Sequence, residues 1–311
     1  MHARVYRDGG IIIEVKDRRI LLDPLSLPRE KPDAVFVSHA HSDHYRLKPL
    51  RALGKVPKLM SKATKELIDP RGRLSDVITV EGGESVEVAG LRLDFYNAGH
   101  VLGSLQLLID SGTRIVYTGD FCIEQRIIMR PAPILKSDIL IIDATYGHPR
   151  YSFPSRNEVY KRVLRAVKEA TSCAKGLRFA ARPLGTSQEL TALLSLAAKT
   201  PPFVERKIGE NNRLYEKYGE HLGSYVVHPS IPPSDTVAIV TLSTSANDSI
   251  PCTGWALHSG IPLSSHADFD DLIKYALRSG ACEVYAFSAH AKTLAGILAK
   301  EAGLQAIALS S

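Results

Sequence analysis

Ser38-His39-Ala40-His41-Ser42-Asp43-His44 carries an HxHxDH pattern directly after the apolar run Ala34-Val35-Phe36-Val37, and no other stretch of the chain restricts its fold so tightly. An apolar run of that length reads as a buried strand, and side chains on extended backbone alternate between two sides. His39 and His41 therefore leave the strand on the same side, and Asp43 and His44 follow as the chain turns. Imidazole nitrogens and a carboxylate in this arrangement suit two metal ions held side by side, the first pair of histidines on one and Asp43 with His44 on the other. Zinc is the ion such donors favour, with manganese or iron as substitutes. A His-rich surface loop that binds metal adventitiously is the bland alternative.

Two further donors stand at the ends of apolar segments. Leu91-Arg92-Leu93-Asp94-Phe95-Tyr96 reads as a strand running into Asn97-Ala98-Gly99-His100, and Arg114-Ile115-Val116-Tyr117 as another running into Thr118-Gly119-Asp120. A glycine before each donor allows a tight turn at the sheet edge. Taken singly, His100 is an ordinary loop histidine and Asp120 an ordinary turn residue. Beside HxHxDH they complete a binuclear centre, with His39, His41, His100 and Asp120 on one ion. Asp43, His44 and Asp120 then hold the other, and Asp120 bridges.

The order Asp23, His39-Ala40-His41-Ser42-Asp43-His44, His100, Asp120 resembles the metallo-β-lactamase fold, an α/β architecture built as an αββα sandwich. In that family the first Asp after the opening strands, here Asp23, orders the motif loop and is not a ligand. Ala98-Gly99-His100-Val101-Leu102-Gly103-Ser104, Ile142-Asp143-Ala144-Thr145-Tyr146-Gly147 and Pro262-Leu263-Ser264-Ser265-His266-Ala267-Asp268-Phe269 resemble motifs of its β-CASP nuclease branch. Pro183-Leu184-Gly185-Thr186-Ser187-Gln188-Glu189-Leu190 resembles the helix start of the inserted α/β domain of that branch. The resemblance runs over nearly the whole chain and is strongest to DNA-ligase-associated exonucleases and mRNA 3′-end-processing-factor homologues. It implies a metallo-β-lactamase domain split into 1–147 and 255–311, with 148–254 inserted as the β-CASP domain. Asp143 would order His266 and the metal loop.

Most β-CASP relatives end their last strand with a metal-site histidine. Here that position falls on Ser288 after Val284-Tyr285-Ala286-Phe287, with His290 two residues on. Either His290 swings back to replace the missing ligand, or Ser288 faces the site; the spacing of the following helix favours Ser288. Artemis-like DNA nucleases lack the same histidine, which tilts the expected substrate towards DNA.

The chain has 311 residues, 44% of them hydrophobic, enough for a large core and two domains. It shows no basic-apolar leader and no run long enough for a membrane span. Cys122, Cys173, Cys252 and Cys282 are scattered and form no CxxC pair, as expected of reduced, mostly buried thiols in a cytoplasmic protein. Residues 146–254 hold 14 Lys/Arg against 9 Asp/Glu, so they carry +5 of the chain's net +6. A basic insert beside a metal site suits a polyanion such as DNA or RNA, though an ordinary solvated surface has the same composition.

Within the insert, the pattern predicts a helix from Glu158 to Thr171, a strand from Leu177 to Ala181 and a helix from Gln188 to Lys199. A further helix is expected over Asn212–Glu220, a loop at Pro229–Pro233 and a strand over Thr236–Leu242. Gly185, Thr186 and Ser187 could hold a phosphate at a helix start. Thr186-x-x-Glu189 also fits a capping box, which needs no ligand. Ser265-x-x-Asp268 likewise reads as a helix cap. His266 has no such packing role, and a nuclease needs an acid for its leaving oxygen.

The expected chemistry is hydrolysis of a phosphodiester assisted by two divalent ions, zinc or manganese, with Asp43 orienting the attacking water and His266 protonating the departing sugar oxygen. DNA exonuclease or repair chemistry ranks first and RNA 3′-end processing next. A thioester or lactam hydrolase on the same fold is the alternative enzyme, although those lack such an insert. A nucleic-acid-binding protein with a weakened centre is the third reading, resting on Ser288 alone.

Overall fold

The apolar run ahead of the His motif becomes a three-residue strand with every side chain buried, and the fold is organised around covering both of its faces. In the computed structural model, residues 3–230, 233, 235–244 and 248–309 are described. β1 (Arg4–Arg7), β2 (Ile11–Val15) and β3 (Arg18–Leu22) form an antiparallel meander, and β4 (Ala34–Phe36), β5 (Lys58–Met60) and β6 (Val77–Thr79) continue the sheet in parallel. Lys16 and Asp17 have φ of 49° and 58°, the geometry of a two-residue hairpin turn. α1 (Leu47–Ala52) and α2 (Lys62–Ile68) supply the crossovers that parallel strands need.

A second sheet begins with β7 (Ser85–Val88), β8 (Leu91–Asn97), β9 (Leu105–Asp110), β10 (Arg114–Tyr117) and β11 (Ile139–Asp143). The chain then passes through a separate sheet. There α3 (Arg156–Ser172), β12 (Leu177–Ala181) and α4 (Thr186–Ala192) are followed by β13 (Phe203–Glu205), α5 (Arg206–Lys217), β14 (Val226–His228), β15 (Val237–Thr241) and β16 (Ser249–Pro251). It returns with α6 (Phe269–Ser279), β17 (Glu283–Phe287), α7 (Ala291–Ala302) and β18 (Gln305–Ala308). The second sheet is thus ordered β18-β17-β11-β10-β9-β8-β7.

Alternation assigns the layers. Ile115, Tyr117, Ile139 and Ile141 of the second sheet meet Ile13, Ile20, Leu22 and Phe36 of the first in one core. Their sequence neighbours Val116, Leu140 and Ile142 point the other way, onto Leu272 and Tyr275 of α6 and Leu294 and Leu298 of α7. On the far side, Ile12, Leu21, Val35 and Met60 pack with Leu50 and Ile68 of the first two helices. Helix, sheet, sheet, helix is the αββα sandwich anticipated from the sequence.

Two compact units divide the chain: Met1–Ile123, Pro131–Arg150 and His266–Ser311 form one, Glu124–Arg130 and Tyr151–Ser265 the other. The second unit is wider than the expected 148–254 at its C-terminal end and starts three residues later. It keeps 255–265 because Cys252 bridges Ile261 and because Ile261 and Leu263 sit in its core with Val163, Phe179 and Ile239. It gains 124–130 because the Ile127 N–H donates to the Tyr160 hydroxyl and the Met129 N–H to Glu220. Its sheet, ordered β14-β13-β15-β12-β16, is parallel throughout.

Several local expectations shift. α5 starts at Arg206, six residues before the expected Asn212, and ends at Lys217. α4 is capped by Gly185 at φ 104°, whose N–H donates to the Gln188 side chain at 2.7 Å. Glu189 is therefore not a capping partner of Thr186. It is fully buried, 3.3 Å from Arg126 and 3.4 Å from Arg156, and accepts from Tyr160 at 2.5 Å. α6 is capped by Asp268, which accepts from the Asp271 N–H, and not by Ser265. Positions 231 and 232 of the expected Pro229–Pro233 loop lie outside the described residues. None of the four cysteines forms a disulfide, and Cys122 and Cys252 are buried, Cys173 and Cys282 exposed. Among the described residues no helix is long and apolar enough to cross a membrane.

Candidate metal centre

The loop after β4 is fixed by one carboxylate. Asp23, at φ 47°, accepts from the Ser38 N–H at 2.7 Å and, through its other oxygen, from the Ser38 hydroxyl at 2.6 Å and the Tyr117 hydroxyl at 2.7 Å. The same oxygen lies 2.6 Å from His44 Nδ1. A carboxylate on one ring nitrogen turns the other towards a metal and sets the tautomer. His44 Nε2 accordingly faces Asp120, with 3.2 Å between Nε2 and Oδ1. Ser38 and Tyr117 were not singled out in the sequence; the only signal was a serine immediately before the motif.

Ser38 also fixes His39. Its hydroxyl proton is given to Asp23, so it accepts from His39 Nδ1 at 2.9 Å, leaving the Nε2 lone pair pointing inward. That nitrogen is buried, makes no hydrogen bond and lies 3.5 Å from Asp120 Oδ2. Burial, reinforced by positive charge at His44, depresses the His39 pKa well below its ordinary value and keeps the ring neutral. An inward lone pair without a proton donor is what a metal ligand presents, and otherwise costs desolvation energy.

His41 and His100 complete the group. Their facing nitrogens are 3.0 Å apart, and His100 Nε2 is 3.6 Å from Asp120 Oδ2. Gly99 (φ 68°) turns the chain ahead of His100 and Gly119 (φ 54°) ahead of Asp120; a Cβ on Gly119 would come within 2.8 Å of Ser38 Cβ. His39, His41, His100 and Asp120 are all buried, and one donor atom from each lies within 4.8 Å of every other. Burial alone would raise the Asp120 pKa. His44 and then His266 outweigh it and hold the carboxyl well below the usual range, ionised as a ligand must be. Three imidazoles and a carboxylate around an orphaned lone pair fit a divalent ion of the zinc type.

A second pair closes on the same carboxylate. Asp143, at the end of β11, accepts from the Thr145 N–H and hydroxyl with one oxygen, at 2.9 and 2.8 Å, and lies 3.1 Å from His266 Nδ1 with the other. His266 Nε2 is 3.7 Å from Asp120 Oδ2.

Other expected residues stand outside these groups. The His44 N–H donates to the His41 carbonyl, so Ser42 and Asp43 occupy the exposed corner of a turn. Asp43 joins none of the three His/Asp groups found among the described residues. Ser288, at φ 80°, directly follows Phe287, the register partner of Asp143. The His290 ring centre sits 5.7 Å from that of His148, and His290 too is outside those groups. Ser187 is buried and donates to the Arg182 carbonyl at 2.6 Å, and Thr186 is buried beside Gly185.

Fold and site together give an αββα sandwich with a buried His/Asp group, suited to a divalent ion, at its strand ends. The chain belongs to the β-lactamase superfamily, whose domain matches residues 10–183. It is 27% identical over 304 residues to a "Probable DNA ligase" of Opitutus terrae, covering 88% of this chain and 28% of that protein. It is 27% identical over 260 residues to "Transcription termination factor FttA" of Methanocaldococcus jannaschii, covering 71% and 40%. An "RNase J-like protein" of the same organism is 27% identical over 208 residues, covering 60% and 46%. The chain thus spans less than half the length of each of these curated relatives. A crystal structure of a protein of unknown function from Enterococcus faecalis V583 shares the fold, with TM-score 0.66 at 16% identity over 91% of this chain and 93% of that one.

Proposed function

We propose that this chain is a metal-dependent nuclease of the β-CASP type that hydrolyses phosphodiester bonds, with two divalent ions, zinc first and manganese as substitute. The observation that carries the reading is the buried His39/His41/His100/Asp120 group with the Asp143–His266 pair directed onto the same Asp120. Relatives named as an RNase J-like protein and an "RNase aCSPSF2" support a nucleic-acid substrate. The probable DNA ligase, whose match covers 88% of this chain, and serine at 288 favour DNA over RNA 3′-end processing.

When bound, such ions lower the pKa of a coordinated water from ~16 towards ~7 and neutralise phosphate charge. His39, His41, His100 and Asp120 would hold the first. Asp43, His44 and Asp120 would hold the second. The Asp143 carboxylate accepts from His266 Nδ1–H and stabilises the doubly protonated ring, whose Nε2–H would be the proton given to the leaving sugar oxygen. The test is incubation of the protein and zinc or manganese with end-labelled single-stranded DNA, duplex DNA and RNA. Cleavage that requires metal is expected; none on any strand, with thioester or lactam turnover instead, would move the chain to the small-molecule hydrolases.

The basic insert gives a separate expectation. Lys161, Arg162 and Arg165 are exposed on α3, Lys161 already paired with Glu158 at 2.8 Å. Groups that displace phosphate counterions make affinity fall steeply with salt. Neutralising all three should flatten that dependence and weaken binding, with cleavage of a saturating substrate little changed. Binding that ignores salt would remove the insert from recognition.

The last strand makes another. With His290 beside His148, His290→Ala should leave the affinity of the second ion nearly unchanged, whereas Ser288→His should tighten it. Metal titration of both variants checks this, and loss of the second site in His290→Ala would make His290 a ligand.

A further inference from the structure

The sheet of the second unit is parallel, so all its strands end on one edge. From β12 the chain moves to β13 on one side, and from β15 to β16 on the other, while β12 and β15 are themselves neighbours. Their carboxyl ends form a topological switch point, where open α/β sheets leave a crevice for ligands. After β12 comes the exposed Arg182, and after β15 comes Leu242, itself 38% exposed.

β16 lies on the other side of β12 and runs by way of Cys252, Thr253 and Gly254 into Trp255. Trp255 is the chain's single tryptophan and is 48% exposed. Its turn is stiff: Ala256 N–H donates to Thr253 O at 2.9 Å, Gly260 N–H to Ala256 O at 3.1 Å and Ile261 N–H to Pro251 O at 2.9 Å. The buried Tyr151 ring stands against the indole, 5.0 Å between centres at 83°. The indole is therefore braced in one orientation while much of its surface remains in solvent.

We propose that Trp255 is a stacking platform for one unpaired base of a single-stranded nucleic acid crossing this edge. The assignment rests on the nuclease reading above and names where in the insert the strand is gripped. Single-strand binding combines an aromatic face for the base with positive charge for the backbone. The second unit supplies both, with 15 Lys/Arg against 10 Asp/Glu over 124–130 and 151–265 and with Arg182 at the adjoining strand end. A duplex keeps its bases stacked on one another and offers no face to the indole, so the platform selects single strands.

Because there is one tryptophan, its fluorescence reports this position alone. The full chain is titrated with nuclease-resistant phosphorothioate oligothymidylate, while anisotropy of the same labelled oligonucleotide follows binding independently. Saturable quenching that tracks the anisotropy is expected. Trp255→Leu should weaken binding by about 5- to 150-fold, the loss of one base–aromatic stack, and Trp255→Phe should recover part of it. Binding seen by anisotropy with unchanged fluorescence and unchanged Trp255→Leu affinity would overturn the platform while leaving the nuclease reading intact. Absence of binding to any single strand would take down both.

Discussion

Asp120→Ala is expected to cost the protein its metal and, with it, cleavage of any phosphodiester. Oδ2 stands 3.5 Å from His39, 3.6 Å from His100 and 3.7 Å from His266, and Oδ1 stands 3.2 Å from His44. Four imidazoles therefore converge on one buried carboxylate. Its removal deprives both proposed ions of their shared anionic donor. It also leaves His44 with Asp23 as its remaining carboxylate partner. Loss of an outer-shell partner already weakens metal binding by roughly 10- to 100-fold, and loss of a direct, shared ligand exceeds that. Asp120→Asn keeps the volume and deletes only the charge, so it should behave alike if charge and ligation are what matter. Elemental analysis before and after reconstitution, with circular dichroism to verify the fold, gives the readout. A folded Asp120→Ala protein that keeps its full metal complement would remove Asp120 from the centre.

The parts of this site that were legible in the sequence are those written in periodicity and local chemistry. HxHxDH follows an apolar run, and His100 and Asp120 each follow a glycine at the end of an alternating segment, so strand ends could be read before any fold was known. Asp143 lay at the end of an apolar run in the same way. What escaped was decided by contacts distant in sequence. Glu189 had the spacing of a capping residue, yet its partners Arg126 and Arg156 are more than thirty positions away. β13, β14 and β16 are three residues each, too short for any period to register. The end of the second unit moved from 254 to 265 for a similar reason, since nothing local reveals that Cys252 will pair with Ile261.

His266→Ala should lower turnover by about 10²–10⁴-fold, the usual worth of a positioned general acid, while metal content stays at the wild-type level. Asp143 takes Nδ1 at 3.1 Å, the rings of His100 and Tyr146 stand 4.4 and 5.7 Å from it between centres, and Nε2 is directed to the edge of the metal group, 3.7 Å from Asp120. Asp143 has no freedom to serve as the acid itself, because its other oxygen is engaged by the Thr145 N–H and hydroxyl. Asp143→Asn should therefore produce a smaller loss of the same kind, by weakening the grip on Nδ1. A structural role for His266 would also slow the enzyme, so the decisive comparison uses two substrates. An ordinary strand leaves as a sugar alkoxide and needs a proton, whereas a phosphodiester with a nitrophenolate leaving group does not. His266→Ala should be severely impaired on the first and nearly normal on the second. Equal loss on both, or loss of metal from the variant, would show that His266 supports the centre and does not deliver the proton.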